Sequence, residues 1–199
     1  MGASLADQAG APAGRAPSLA IALGANLPSP VGDPLATLLV VRPLLETVLL
    51  PLGGAMCWSP LFRTAPVGGP PGQPDYLNAV VLVRPVGPAT PEMAMQLLQE
   101  LQQLEQCFAR QRLVRWGPRS LDLDLLWWGD LQCGSEVLEL PHPRLLERSF
   151  VLAPLAAIDA ELVPPGACAS AAALLKQLPL SAMEPKPERL AVGEAAWPE

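Results

Sequence analysis

At 199 residues, half of them hydrophobic, the chain is long enough to bury one core and short enough to make a single domain the natural expectation. Its formal net charge of −6 excludes broad electrostatic attraction to nucleic acid or to an anionic membrane. Four widely spaced cysteines (Cys57, Cys107, Cys133, Cys168) and one histidine argue against a disulfide framework or a histidine-built metal centre.

Residues 1–17 are rich in Ala, Gly and Pro and are expected to be disordered. Arg15 followed by Leu19–Ala25 faintly imitates a signal peptide. The apolar run is short and lacks a basic cluster, so a strand over Leu19–Leu23, ended by Gly24, and a cytoplasmic location are expected instead. Asp33 and Pro34 cap a helix carrying Leu35, Leu38, Leu39 and Leu45, which Pro43 should kink or split. The stretch Leu35–Leu52 is apolar, but Arg42, Pro43, Glu46 and Pro51 interrupt it as a membrane span. Ala55–Thr64 reads as one strand, bulged or at an edge because of Pro60. A Pro/Gly-dense loop, Ala65–Pro74, precedes a third strand over Asn78–Val83.

Thr90 and Pro91 open the clearest helix, in which Met93, Leu97, Leu101, Leu104 and Phe108 recur every three or four residues. Leu121–Trp127 is a fourth strand, with Leu131–Leu140 expected as a hairpin against it. Helical turns are expected over Arg144–Ile158 and Ala169–Leu178. The resulting division is a folded domain over 18–178 and a flexible tail over 179–199. The element order is strand, helix, strand, strand, helix, strand. That order predicts an α+β fold with a ferredoxin-like split β-α-β core: a mostly antiparallel sheet flanked by helices, plus the hairpin and C-terminal helical turns.

Between Gln106 and Leu121 stand Arg110, Arg112, Arg115 and Arg119, with no acid among them. A guanidinium offers a fixed fork of donors that suits phosphate oxygens, although a solvated basic loop has the same make-up. Immediately after comes Leu121-Asp122-Leu123-Asp124-Leu125. On a strand the three leucines enter the core and both carboxylates leave on the other face, about 6.5–7 Å apart at their Cα atoms. Such a pair can hold magnesium, which prefers oxygen ligands and completes its shell with water and phosphate. Alone, D-x-D is also what ordinary alternation on a half-exposed strand produces. Beside the arginines and the Trp116-Gly117-Pro118 turn it makes up the parts of a phosphoryl-transfer site. Neither a Walker-type loop nor a kinase glycine loop is present.

The segment Trp116-Gly117-Pro118-Arg119-Ser120-Leu121-Asp122-Leu123-Asp124-Leu125-Leu126 closely resembles the signature of 6-hydroxymethyl-7,8-dihydropterin pyrophosphokinases. Four further stretches fit in order: Gly24-Ala25-Asn26-Leu27, Phe62-Arg63-Thr64-Ala65-Pro66, Gln73-Pro74-Asp75-Tyr76-Leu77-Asn78, and Pro141-His142-Pro143-Arg144 leading to Arg148-Ser149-Phe150-Val151-Leu152. The resemblance implies pyrophosphate transfer from ATP to the hydroxymethyl pterin in folate synthesis, by a monomer; the acidic balance and the interrupted apolar stretch argue against nucleic acid and membrane as partners. It implies that Asp122 and Asp124 hold two Mg2+ ions and that Arg110 and Arg119 stabilise the transferring phosphates, with Arg112 nearby. Gln102, Glu105, Leu125, His142 and Arg148 would line the nucleotide site. Thr64, Pro66, Val67, Tyr76 and Asn78 would frame the pterin, with Trp116 and Phe150 sandwiching its ring. Three positions depart from the pattern: Ala109 stands where glycine is usual, Ala65 replaces a proline, and Val137 replaces a basic residue. The Arg112–Trp116 segment is also a residue short. A non-catalytic nucleotide- or pterin-binding module on the same scaffold is the alternative, and an RNA-binding sheet is disfavoured by the acidic balance.

Overall fold

The computed structural model describes residues 17–109, 117–179, 186–191 and 197. Strands β1 (Leu19–Ala25), β2 (Ala55–Trp58), β3 (Phe62–Thr64), β4 (Tyr76–Arg84) and β5 (Asp122–Trp128) form one antiparallel sheet, in the order β5-β1-β4-β3, with β2 also on β4. Helices α1 (Pro34–Leu49) and α2 (Pro91–Cys107) cover one face, and α3 (Ser149–Ile158) and α4 (Ala171–Gln177) cover part of the other. This is the split β-α-β sandwich that the element order predicts.

Alternation along the strands divides the core in two. Leu19, Ile21, Leu23, Ala79, Val81, Val83, Leu123 and Leu125 pack beneath α1 and α2. Ala20, Ala22, Val80, Leu82 and Leu126 meet Val151, Leu152 and Leu155 of α3. A register shift at Ala20/Ile21 in the β1–β5 ladder lets Leu126 and Trp127, though adjacent, both join the α3 side. α3 packs on β4 and also reaches β3, and together with α4 it leaves part of this face open. The open part, bearing Gly24, Thr64, Tyr76, Asn78, Asp122 and Asp124, forms the wall of a cleft.

Four expectations need correction. First, Pro43 does not split α1, whose helical hydrogen bonding continues to Leu49. Pro43 lies on the exposed side, where water can take the carbonyl that its missing N–H frees, while Leu38, Val41, Leu45 and Leu49 anchor the buried side. The segment Pro34–Leu52 has the length and apolarity of a membrane span, yet here that face packs on the sheet.

Second, Ala55–Thr64 is two strands. The chain breaks at Ser59-Pro60, where Ser59 exchanges bonds with Val80: its N–H donates to the Val80 carbonyl and its Oγ accepts from Val80 N–H, both at 2.9 Å. Third, the expected hairpin does not pair along β5. Gly129, with φ +53°, and a turn closed by Leu131 N–H on the Trp128 carbonyl lead the chain away. Cys133–Gly134 (β6) and Glu139–Leu140 (β7) then form their own small sheet. Fourth, the tail beyond 178 is not uniformly loose. Glu188–Arg189 (β8) pairs with β3, and Trp197 is buried.

Candidate active site

The cleft encloses about 190 Å³ and is lined by the open ends of β1, β4 and β5, the Thr64–Gly68 segment, and residues at the start of α3. Asp122 lies opposite Gly24 and Asp124 opposite Ala22 on β1, so both carboxylates rise from one face of the sheet, as alternation requires. Each already has a guanidinium partner. Arg119 binds Asp122, and Arg148 Nη1 lies 3.3 Å from Asp124 Oδ2. Burial opposes the Arg119 charge, but the pull of Asp122, with Tyr76 and Asp124, overcomes it and holds the guanidinium more firmly protonated than usual. Two acids and two arginines therefore share one wall as two ion pairs.

Asn26 fixes the approach to β5. This buried side chain accepts from Arg119 N–H at Oδ1 (2.7 Å) and donates from Nδ2 to the Pro74 carbonyl (3.0 Å). The N–H groups of Asn26 and Leu27 both donate to the Arg119 carbonyl (2.9 and 3.0 Å). The Tyr76 hydroxyl adds a bond to the Gly117 carbonyl (3.1 Å). Arg119 is thus held by its backbone on one side and by Asp122 on the other.

Across the cleft, Asn78 Nδ2 donates to Thr64 Oγ1 (2.7 Å), and both side chains are buried. Asn78 stands opposite Gly24, where a Cβ would come within 2.9 Å of Asn78 Oδ1. Glycine therefore leaves that oxygen room over the strand. Pro66 and Val67 continue this wall, and Phe150 faces them with Arg148 stacked on its ring, Cζ 5.3 Å from the centroid.

The remaining expected residues fall in different places. Gln102, Glu105, Leu125 and His142 are not in the cleft wall. The Leu125 side chain is in the α1/α2 core, which leaves only its backbone toward the other face. Glu105 is buried and accepts Leu123 N–H at Oε1 (2.7 Å), satisfying a donor on the outer edge of β5. His142 Nδ1 accepts from Arg144 N–H (3.1 Å). Burial, with the nearby charge of Arg148, pushes this imidazole down to about 4, so at neutral pH it is uncharged and carries its proton on Nε2. Arg110, Arg112 and Trp116 lie outside the described residues.

The residue reading missed Arg144 and Glu147, which line the cleft, as well as the positioning role of Asn26 and the Glu105–Leu123 bond. A buried acid on the apolar stripe Leu97–Leu101–Phe108 was the available signal for Glu105.

At the end of α2, Ala109 adopts φ +59°, the left-handed conformation in which a helix usually places glycine. Ala109→Gly is expected to stabilise the fold by about 1 kcal/mol, because the Cβ penalty disappears. A urea midpoint equal to or below that of the parent chain would refute this.

Comparison with known proteins agrees with this architecture. The family profile for 7,8-dihydro-6-hydroxymethylpterin-pyrophosphokinase matches residues 20–160. A 2-amino-4-hydroxy-6-hydroxymethyldihydropteridine pyrophosphokinase of Synechocystis is 44% identical over 131 residues, covering 66% of this chain and 64% of that protein. The Haemophilus influenzae protein of the same name is 39% identical over 145 residues, covering 73% of this chain and 83% of its own. The crystal structure of wild-type Plasmodium falciparum HPPK-DHPS superposes with a TM-score of 0.54 at 11% identity, over 81% of this chain and 44% of that one. At that identity the likeness speaks for the fold alone.

The fold is an α+β sandwich of the class to which these pyrophosphokinases belong, and the chain spans 64% of the Synechocystis protein's length and 83% of the Haemophilus influenzae one's. Within that class, the chain belongs to the 7,8-dihydro-6-hydroxymethylpterin-pyrophosphokinase family, the pyrophosphokinases of folate synthesis.

Proposed function

We propose that this chain transfers the β,γ-pyrophosphate of ATP to the hydroxymethyl oxygen of 6-hydroxymethyl-7,8-dihydropterin. The oxygen bonds to the β-phosphorus, the bond from that phosphorus to the α,β-bridging oxygen breaks, AMP leaves carrying that oxygen, and the hydroxyl proton is released to solvent. The observation that carries this reading is that Asp122, Asp124, Arg119 and Arg148 share one cleft with Asn78, Thr64 and Phe150. A polyanion-binding wall thereby faces a wall suited to a flat, hydrogen-bonding heterocycle.

The donor chemistry fits magnesium. Two carboxylates two residues apart on a strand supply hard oxygen ligands, and substrate phosphates and water would complete the shell of the two ions expected. Bound there, magnesium would neutralise and orient the phosphate oxygens. Arg119 and Arg148, now paired with the acids, would turn to those oxygens as charge builds on the transferred group. Asn78 Oδ1, held by the bond from its amide to Thr64, presents an acceptor to a ring N–H, and Phe150 offers a stacking face. Arg110 and Trp116 belong to this reading through the family resemblance. A cytoplasmic monomer is also part of it, supported by the acidic composition and four free cysteines.

The test is AMP release from ATP and Mg2+, with and without the hydroxymethyl dihydropterin. Pterin-dependent AMP with stoichiometric pterin diphosphate is expected. Binding of both substrates without AMP would replace this reading with a non-catalytic module.

A further inference from the structure

The pterin-side wall hangs from a short strand. β3 has three residues and leads directly into Ala65–Asp75, which has no helix or strand of its own. One edge of β3 is paired with β4, and the other is covered by the C-terminal segment. Phe62 faces Arg189, Arg63 faces Glu188, and Leu190 N–H donates to the Leu61 carbonyl at 2.8 Å.

A second anchor lies two residues upstream of Leu61. The Trp197 indole N–H donates to the Ser59 carbonyl at 2.8 Å, and the ring, 1% exposed, meets Trp58 edge to face with centroids 5.5 Å apart. The Arg42 guanidinium of α1 stacks on both indoles, at 5.4 and 5.9 Å. Trp197 therefore ties α1, β2 and the Ser59-Pro60 break together on the helix-covered side of the sheet, without touching the cleft.

We infer that the C-terminal segment, through Trp197 and the β8 pairing, is a positioning element that sets the Thr64–Gly68 wall and so governs pterin affinity. The physical reason is leverage. A three-residue strand with one free edge would let its continuation shift, and Thr64 must stay within hydrogen-bond reach of Asn78 for both to present fixed polar atoms. The two acids of the phosphate wall stand on β5, which β1 and β4 separate from β3; α3 does pack on β3, so ATP binding should respond to this segment far less than pterin binding does. The inference rests on the proposed pterin site and predicts an asymmetry between the two substrates.

The experiment compares the full chain with Trp197→Ala, Trp197→Phe and Leu190→Pro. Trp197→Ala should raise the pterin KM by about 5–20-fold while leaving kcat and the ATP KM within about twofold. Trp197→Phe keeps the ring contacts but not the N–H, and should fall nearer the parent. Leu190→Pro removes the donor to Leu61 and should reproduce the alanine result if Trp197→Ala fails to fold. A pterin KM within twofold of the parent, or equal increases for both substrates, would overturn the inference. If the parent chain released no AMP, the pyrophosphokinase reading would fall. Amide exchange over residues 62–68 would then still decide the clamp: faster in the variants if it holds the wall, unchanged if not.

Discussion

Asp122→Ala is expected to lower pterin-dependent AMP release by about 10³-fold or more, a barrier increase on the order of 4 kcal/mol. Asp124→Ala should do the same. The size follows from what each carboxylate faces. Both stand on one side of β5 within the cleft, each beside an arginine, where an anion is stabilised and a hard cation can be shared with phosphate. Losing either acid also leaves a partly buried guanidinium without its partner. The pairs are only partly screened from solvent, so the stability cost should be small beside the catalytic one. Asp122→Asn separates the two effects. It keeps the shape and an acceptor for Arg119 but not the charge, so folding should be close to the parent and activity should stay low. Near-parent turnover in either alanine variant, with the circular dichroism spectrum retained, would remove the metal assignment.

The alternation of leucines and acids in β5 was legible because a strand has a fixed period of two, and the buried Leu121, Leu123 and Leu125 obey it. Two residues later the same logic fails. The register shift against β1 puts Leu126 and Trp127 on one side, and nothing in a run of apolar residues marks where a bulge will fall. The C-terminal segment was unreadable for a related reason. β8 is two residues long, and Trp197 is an isolated aromatic among Ala, Pro and Glu, so neither has periodicity to betray its burial. Glu105 was read as facing nucleotide because of the resemblance, and nothing in the sequence showed that its place on the apolar face of α2 also sets one carboxylate oxygen on the edge of β5. Local pattern shows which side of an element is apolar; it does not show which distant backbone group a buried polar side chain will satisfy.

Asn26 is the sharpest case of that limit and yields the second large effect. Asn26→Ala should lower kcat/KM by about 10–100-fold, although the side chain is not in the cleft wall, because a displacement near 1 Å of a catalytic group is enough for such a loss. Its amide closes a bond from Arg119 N–H and another to the Pro74 carbonyl, joining the turn before β5 to the segment leading into β4. Alanine would leave both groups without their partner at a position 2% exposed, which costs roughly 2 kcal/mol and lowers the melting temperature by several degrees. Arg119 would keep Asp122 but lose its backbone tether. Reduced activity should therefore show mainly in kcat, with pterin affinity nearly unchanged because Asn78 and Thr64 retain their own bond. Asn26→Asp retains the acceptor for Arg119 N–H and loses only the donor to Pro74, so it should recover most of the kcat while staying less stable than the parent. Equal losses in the alanine and aspartate variants would show that the Pro74 tether, not the one to Arg119, sets the geometry of the transfer site.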